Sequence, residues 1–501
     1  MQKEVATNKK LSSGNSAKPG KPSKPGKPGK PGVVGKAKVG LEIHGYLQTS
    51  QKLFCECKAV RHAALQALKP NSFICPICTG QPGSKPMLPN SEAIKKVIQI
   101  ALMLGCKINT VEAGKLLVWQ RKHYDWPDLP KGYQITMSGS YSVPLAENGM
   151  FDGIRIRECH LEEDPAAWNP ETGSIDYNRS GIPLIEIVTE PDFSSGEQVE
   201  AWLKKFLLLA SYIKALDKSA GIKVDVNVSV NGGERVEIKN LSSLASIKAA
   251  IDYEIARQLS EGAKRETRRW DEERQETVVM RAKELAEDYR FIPDPDLPVL
   301  KISESEVKKL RASLPESPEE KLRKLIKKYK INKVQAGILA SNLELVEFFE
   351  EVAKHIDAAF ALPWITIELL RVLNYNKVSL DEVNIKPAHF VELLKLLKEG
   401  KITPLKAKSL LNEFVPESFS ISQRGSGGKA GEMEMAEITK LSDQEIRQIC
   451  EQVIKANQKA VADYKQGNKK ALDFLMGEVM KLSKRRADYK KARQLLEEMM
   501  R

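Results

Sequence analysis

The chain has 501 residues, of which 42% are hydrophobic and 29% charged, with seven cysteines and a formal net charge of +13. That length allows two to four domains with a sizeable core, and without an apolar run long enough to span a bilayer it excludes an integral membrane protein. The polar N-terminus carries no secretory signal, so a cytoplasmic location without membrane association is expected.

The charge is concentrated at the two ends. Residues 1–36 hold nine lysines and one glutamate, and residues 451–501 hold thirteen Lys/Arg against seven Asp/Glu, which leaves 37–450 at −1. In 1–36 Lys-Pro-Gly recurs between Lys18 and Gly32 with almost no large apolar side chain, a composition expected to stay disordered. Lys38–Leu47 then alternates Val39, Leu41 and Ile43 with Gly40, Glu42 and His44, which predicts a half-buried strand. Helices are predicted at 91–104, 197–216 and 243–260 from their apolar stripes, the first capped by Ser91 or Asn90 and the second by Ser195. Val224–Val230 alternates four valines with Asp225, Asn227 and Ser229, and Asn231-Gly232-Gly233 turns it into Arg235–Lys239 as a hairpin. Its polar face, with Glu237 and Lys239, either lines a cavity or is solvated. Prolines 293, 295 and 298 mark a boundary near 300. Residues 301–414 have helical periodicity, 415–431 read as a Gly-rich flexible linker, and 432–501 are again helical.

Two groups of residues point to chemistry. Cys55-Glu-Cys57 and Cys75-Pro-Ile-Cys78 are two short-spaced thiol pairs, a pattern that suits one tetrahedral, closed, structural zinc. Reduced cysteines without metal, or His62 as a substitute ligand, are the alternatives. Cys106, Cys159 and Cys450 are isolated and expected to be buried thiols. The second group is acidic. Glu42 and His44 share one strand face, and His160-Leu-Glu162-Glu163-Asp164 adds further carboxylates. Strict alternation sends Glu162 and Glu163 to opposite faces, so only a bulge or a strand end would bring both together. Glu186 interrupts the apolar run Ile182–Val188, where a carboxylate is costly unless paired or metal-bound. Such an oxygen-rich set suits Mg2+, although for each residue taken alone a solvated face or a salt bridge is the better reading.

Several longer blocks carry a resemblance. Val39-Gly-Leu-Glu-Ile-His44, Cys75-Pro-Ile-Cys-Thr-Gly-Gln-Pro-Gly83, Pro127-Asp-Leu-Pro-Lys-Gly-Tyr-Gln134, His160-Leu-Glu-Glu-Asp164, Pro183-Leu-Ile-Glu-Ile-Val188 and Arg235-Val-Glu-Ile-Lys-Asn-Leu241 occur in order. Together they resemble the B subunit family of aspartyl/glutamyl-tRNA amidotransferases, and Ala471–Met480 resembles that family's tRNA-contacting tail. The resemblance implies an α+β fold: a catalytic cradle of mainly antiparallel strands over 37–300, an all-α helical domain over 301–414 and an all-α tRNA-binding tail over 432–501. It implies ATP-dependent phosphorylation of Glu on mischarged tRNA(Gln), Asp on mischarged tRNA(Asn), or both. Ammonia would come from a partner amidase A subunit, with a small C subunit completing a heterotrimer; a non-catalytic tRNA-binding scaffold is the alternative.

The implied metal ligands are His44, Glu163 and Glu186, with Glu42 and Glu162 in a neighbouring site. Arg121, Lys122, Lys131, Tyr133, Asn178 and Arg179 lie in family blocks expected near the nucleotide or the aminoacyl end. Lys481, Lys484, Arg485 and Arg486 are the expected tRNA phosphate contacts. The chain departs from the family where Arg121-Lys-His-Tyr-Asp-Trp-Pro127 replaces the frequent Arg-Lys-Asn-Tyr-Phe-Tyr-Pro, and where Lys218-Ser-Ala-Gly-Ile-Lys223 replaces an acidic stretch.

Overall fold

A computed structural model describes residues 36–65, 67–282, 289–421 and 438–500. The expected basic arm, apart from Lys36, and residues 422–437 around the Gly-rich linker lie outside the described residues.

The strands in chain order are β1 (Ala37–Tyr46), β2 (Lys107–Ile108), β3 (Gln120–His123), β4 (Gln134–Thr136), β5 (Ala146–Phe151), β6 (Ile154–Glu163), β7 (Ala167–Trp168), β8 (Ile175–Asp176), β9 (Pro183–Thr189), β10 (Ile222–Val230), β11 (Val236–Leu241), β12 (Glu266–Asp271), β13 (Glu276–Ala282) and β14 (Arg290–Pro293). Twelve of them form one sheet in the order β13-β12-β11-β10-β1-β9-β6-β4-β3-β14, with β5 on β6 and β2 on β5. Every pairing is antiparallel except β11 with β12. The fold is α+β, as expected.

The alternation in β1 explains how the sheet is used. Val39, Leu41 and Ile43 are buried with Val224, Val226 and Val228 of β10 and Ile185 and Ile187 of β9. Three helices cover that face: α2 (Ser91–Met103), α3 (Gly196–Tyr212) and α4 (Leu244–Glu261), the short α1 (His62–Leu65) lying in the connection before α2. Asn90 caps α2 by accepting from the amides of Glu92 and Ala93, and Ser195 caps α3 by accepting from Gln198. Trp202, Leu203 and Phe206 of α3 and Ile247, Ala250 and Ile251 of α4 complete the core. A one-residue slip of β1 would exchange three aliphatics, each stabilising by ~1.5–3 kcal/mol when buried, for Glu42 and His44. The register is therefore fixed, and the polar residues must line the opposite face.

The segment expected to end the domain instead extends it. β14 pairs with β3, and the helix Glu304–Ala312 packs Val307 and Leu310 against the same core. Beyond it, helices from Pro318 to Asn412 surround a second core that includes Leu339, Phe349, Leu369, Phe390 and Leu411. Residues 415–421, at the start of the expected linker, pack here through Val415, Phe419 and Ile421. A third core joins the helices Asp443–Ala456, Gln458–Lys465, Lys469–Leu482 and Tyr489–Met500. No helix among the described residues is long and apolar enough to cross a membrane.

Candidate active site

The face of the sheet turned away from the helices collects the acidic residues. Directly opposed residues in antiparallel strands share a face. His44 stands opposite Glu186 and Lys223, Glu186 opposite His160, and Glu42 opposite Asp225. One row across four strands thus reads Lys223, His44, Glu186, His160. Ligand atoms of Glu42, His44 and Glu186 lie within 4.8 Å of one another, as do those of Glu42, Asp225 and Glu237. Nε2 of His44 is 3.8 Å from Glu42 and 3.7 Å from Glu162.

The charges on this face perturb one another. Burial and the carboxylates of Glu162 and Glu42 raise Glu186 to about 8, against the pull of His44 and Lys122. Burial works against the charged form of His44, yet Glu162, Glu186 and Glu42 outweigh it and raise the imidazole. Glu162 is 3% exposed, and its Oε2 is buried with no hydrogen-bond partner among the described residues. Clustered carboxylates with an unsatisfied buried oxygen fit a hard divalent cation such as Mg2+. Glu42, His44 and Glu186 lie close enough together to share one, and Glu162 stands beside His44.

Glu162 and Glu163 diverge, as alternation requires. The register shift in the β6–β9 pairing falls between Ile156 and Glu158, so no bulge separates the two glutamates. Glu163, the last residue of β6, turns to the opposite side. There its Oε1 accepts from the Ile135 amide at 2.9 Å and pairs with Lys131. It stands apart from the His44 group in this arrangement.

The remaining candidates are placed as follows. Arg121 binds Asp294 at 3.0 Å and Asp296 at 2.9 Å, with its guanidinium 4.5 Å from the centroid of the Tyr133 ring. Arg179 grips Asp164 with two bonds of 2.7 Å, and Asp164 also accepts from the Tyr46 hydroxyl at 2.8 Å. Asn178 is fully buried and spends its amide on the loop before the second cysteine pair, accepting from Ser72 and Phe73 and donating to Lys69. Lys122 lies 4.7 Å from the centroid of the Tyr289 ring, with no carboxylate within 4.0 Å among the described residues. Burial works against its charge, but Glu162 and Glu186 outweigh it and raise the ammonium. In the tail, Lys481, Lys484 and Arg485 are exposed and Arg486 is half-buried. The carbonyls of Arg485 and Arg486 accept from Thr403 and Leu441, which fixes that corner.

Two residues on the acidic face escaped the sequence reading. Tyr46 continues the Glu42–His44 alternation by one step. Lys223 precedes the valine alternation of β10 by one residue and stands beside His44. Its Nζ is 3.5 Å from the Tyr46 hydroxyl, and burial lowers its pKa. The same period-two count, extended past the apolar residues, would have found both.

The four cysteine sulfurs also come together, all within 4.8 Å. Cys75 and Cys78 Sγ are 3.8 Å apart, which matches the edge of about 3.8 Å in a tetrahedron of zinc–sulfur bonds. The Cys75 amide donates to Cys78 Sγ at 3.2 Å. These donors fit a structural zinc. His62 is not in the group: its amide donates to Asp217 and its ring rests on Tyr46. Cys106, Cys159 and Cys450 are buried free thiols. Gly80, just past Cys78, has φ +64°, and a Cβ there would sit 2.3 Å from the Pro130 carbonyl oxygen, so the knuckle presses on the loop that carries Lys131.

Residues 37–308 match the GatB/GatE catalytic domain family and residues 347–500 the GatB domain family. The chain is 42% identical over 475 residues to the B subunit of the aspartyl/glutamyl-tRNA(Asn/Gln) amidotransferase of Methanopyrus kandleri, covering 92% of this chain and 98% of that one. It is 42% identical over 466 residues to the same subunit of Methanothermobacter thermautotrophicus (92% and 99%), and 43% identical over 478 residues to that of Methanocaldococcus jannaschii (92% and 98%). Matched over nearly its whole length by these relatives, and over 37–308 and 347–500 by the two family models, the chain belongs to the family of aspartyl/glutamyl-tRNA amidotransferase B subunits.

Proposed function

We propose that the chain is the subunit of a glutamine-dependent tRNA amidotransferase that activates and amidates the side chain of Glu on mischarged tRNA(Gln), Asp on mischarged tRNA(Asn), or both. A carboxylate resists ammonia because its leaving group would be oxide. In the proposed reaction a carboxylate oxygen attacks the γ-phosphorus of ATP, the bond to the β–γ bridging oxygen breaks, and ADP leaves. Ammonia from a partner amidase subunit then attacks the acyl carbon; phosphate departs and the nitrogen loses a proton.

Phosphoryl transfer calls chiefly for positioning and for neutralising phosphate charge. A divalent cation held by Glu42, His44, Glu162 and Glu186 would supply much of that neutralisation. The cations near this face divide into two sets. Arg121, Lys131, Arg179 and Lys239 are already committed to carboxylates. Lys122 and Lys223 have no carboxylate partner within 4.0 Å among the described residues; Lys223 ends the row on β10, and Lys122 stands on β3, two strands beyond its other end on β6. They are the side chains free to meet phosphate oxygens. Tyr46, whose hydroxyl donates to Asp164, lies beneath Lys223.

The observation that carries this reading is the acidic row on the open face, set in a chain whose relatives are named for this reaction. The test is phosphate release by the complex reconstituted with its amidase and small subunits, assayed separately with Glu-tRNA(Gln) and Asp-tRNA(Asn). Release that depends on one or both charged tRNAs supports the reading and identifies the substrate. Binding of tRNA with no ATP cleavage would leave a scaffold subunit instead.

A further inference from the structure

Lys52 is 1% exposed, which places an ammonium in the interior. Its Nζ donates to the Phe73 carbonyl at 2.9 Å, to the Tyr177 carbonyl at 3.2 Å and to Cys78 Sγ at 3.5 Å. No carboxylate lies within 4.0 Å of it among the described residues. A buried ammonium held only by two neutral carbonyls is costly, because it lacks a countercharge in a medium that screens poorly. The sulfur is the one partner that can carry negative charge. Four thiolates around one divalent metal ion leave a net charge of about −2 on the centre, and a buried cation at hydrogen-bond distance offsets part of it.

The two carbonyls also matter. Phe73 lies two residues before Cys75, whereas Tyr177 opens the turn that leads to Arg179 and Gly181. That turn meets the knuckle at two further points: Ser180 Oγ donates to the Cys78 carbonyl at 2.7 Å, and the Leu53 amide donates to the Gly181 carbonyl at 2.8 Å. Arg179, carried between them, is the partner of Asp164 on the acidic side of the sheet.

We propose that Lys52 is a positioning residue that balances the charge of the Cys55–Cys57–Cys75–Cys78 metal centre and latches the Tyr177–Gly181 turn to it. The proposal rests on reading the four cysteines as a zinc site, and the test separates the two. Zinc affinity is measured by competition with a chromophoric chelator on the full-length chain, and metal content is measured independently. If the wild-type chain takes up no stoichiometric zinc, the metal reading itself is overturned. If it does, Lys52→Met is expected to bind zinc about 10–100-fold more weakly, the usual effect of losing a partner of a metal ligand. Unchanged affinity would overturn the role of Lys52.

The latch has its own readout, which needs no variant and so survives a Lys52→Met chain that fails to fold. Chelating zinc from the wild-type protein should speed amide hydrogen exchange at Leu53 and at Asn178–Gly181, while the β1 amides keep their protection. Exchange at the turn that ignores the metal would overturn the latch.

Discussion

His44 on β1 and Glu186 on β9 face each other in register across the antiparallel ladder, and the same position on β6 is His160. Backbone hydrogen bonding fixes that opposition, so these side chains keep their neighbours whatever is bound between them. Glu186→Ala should therefore lower ATP turnover about 100-fold or more, the consequence of losing several kcal/mol of charge stabilisation, with little change in tRNA affinity. Wild-type turnover in the reconstituted complex would remove Glu186 from the site.

At the end of β6, on the side away from the His44 group, Glu163 pairs with Lys131. Lys131→Met releases that carboxylate, and divalent-cation binding, followed by calorimetry, should tighten if Glu163 belongs to the metal shell. Glu163→Gln should then abolish the gain. Identical titrations for Lys131→Met and the wild type would assign Glu163 to Lys131 alone.

The raised pKa of Glu186 predicts a pH dependence. In the metal-free chain the folded carboxyl titrates at about 8 against 4.5 in the unfolded state. The folded state thus binds the extra proton across that window, and stability falls as pH rises through it, by up to ~1.4 kcal/mol per unit. The raised imidazole of His44 has the same sign: its contribution is complete at low pH and is lost as pH rises through its folded value. Urea midpoints between pH 5 and 8 should decline for the metal-free wild type and flatten in Glu186→Gln. A divalent cation should suppress the decline by taking the proton's place.

Arg179, half-buried, and Asp164, 3% exposed, form a bidentate pair. Arg179→Met strands that carboxylate and should cost about 3–5 kcal/mol of stability. The double variant Arg179→Met/Asp164→Asn should recover much of the loss in equilibrium unfolding. Equal instability of the single and double variants would mean that packing, rather than charge, is what the pair contributes.

At the tail, Lys481, Lys484 and Arg485 project from a corner whose backbone is fixed. Replacing all three with Gln should weaken tRNA binding and reduce its salt dependence by roughly one power of salt concentration for each phosphate no longer neutralised. ATP binding should be unchanged. A loss of affinity with an unaltered salt slope would place the phosphate-binding cations elsewhere.

Much of the cradle was legible because period-two alternation is local. Val39, Leu41 and Ile43 identify the buried face of β1 without any partner strand, and Glu42 and His44 follow onto the other. That Glu163 leaves the acidic face follows from the same alternation; what was not legible is what receives it there, Lys131 and the Ile135 amide, which lie about thirty residues earlier in the chain. Lys52 was hidden for another reason. A lysine in a short polar segment reads as solvated, and only the convergence of Phe73, Tyr177 and Cys78 around it shows that it is interior. The prolines near 295 read as a boundary, yet Asp294 and Asp296 reach back to Arg121 from a final edge strand.

Gly80, without room for a Cβ against Pro130, has a further consequence for anyone recombining relatives of this chain. Segments 55–80 and 128–133 touch backbone to backbone, with no side chain between them to absorb a difference in loop length or tilt. A chimera that takes its cysteine turns from one homologue and its Lys131 loop from another would need both backbones to agree to within a few tenths of an ångström. The two segments form one structural unit, to be exchanged together or left alone.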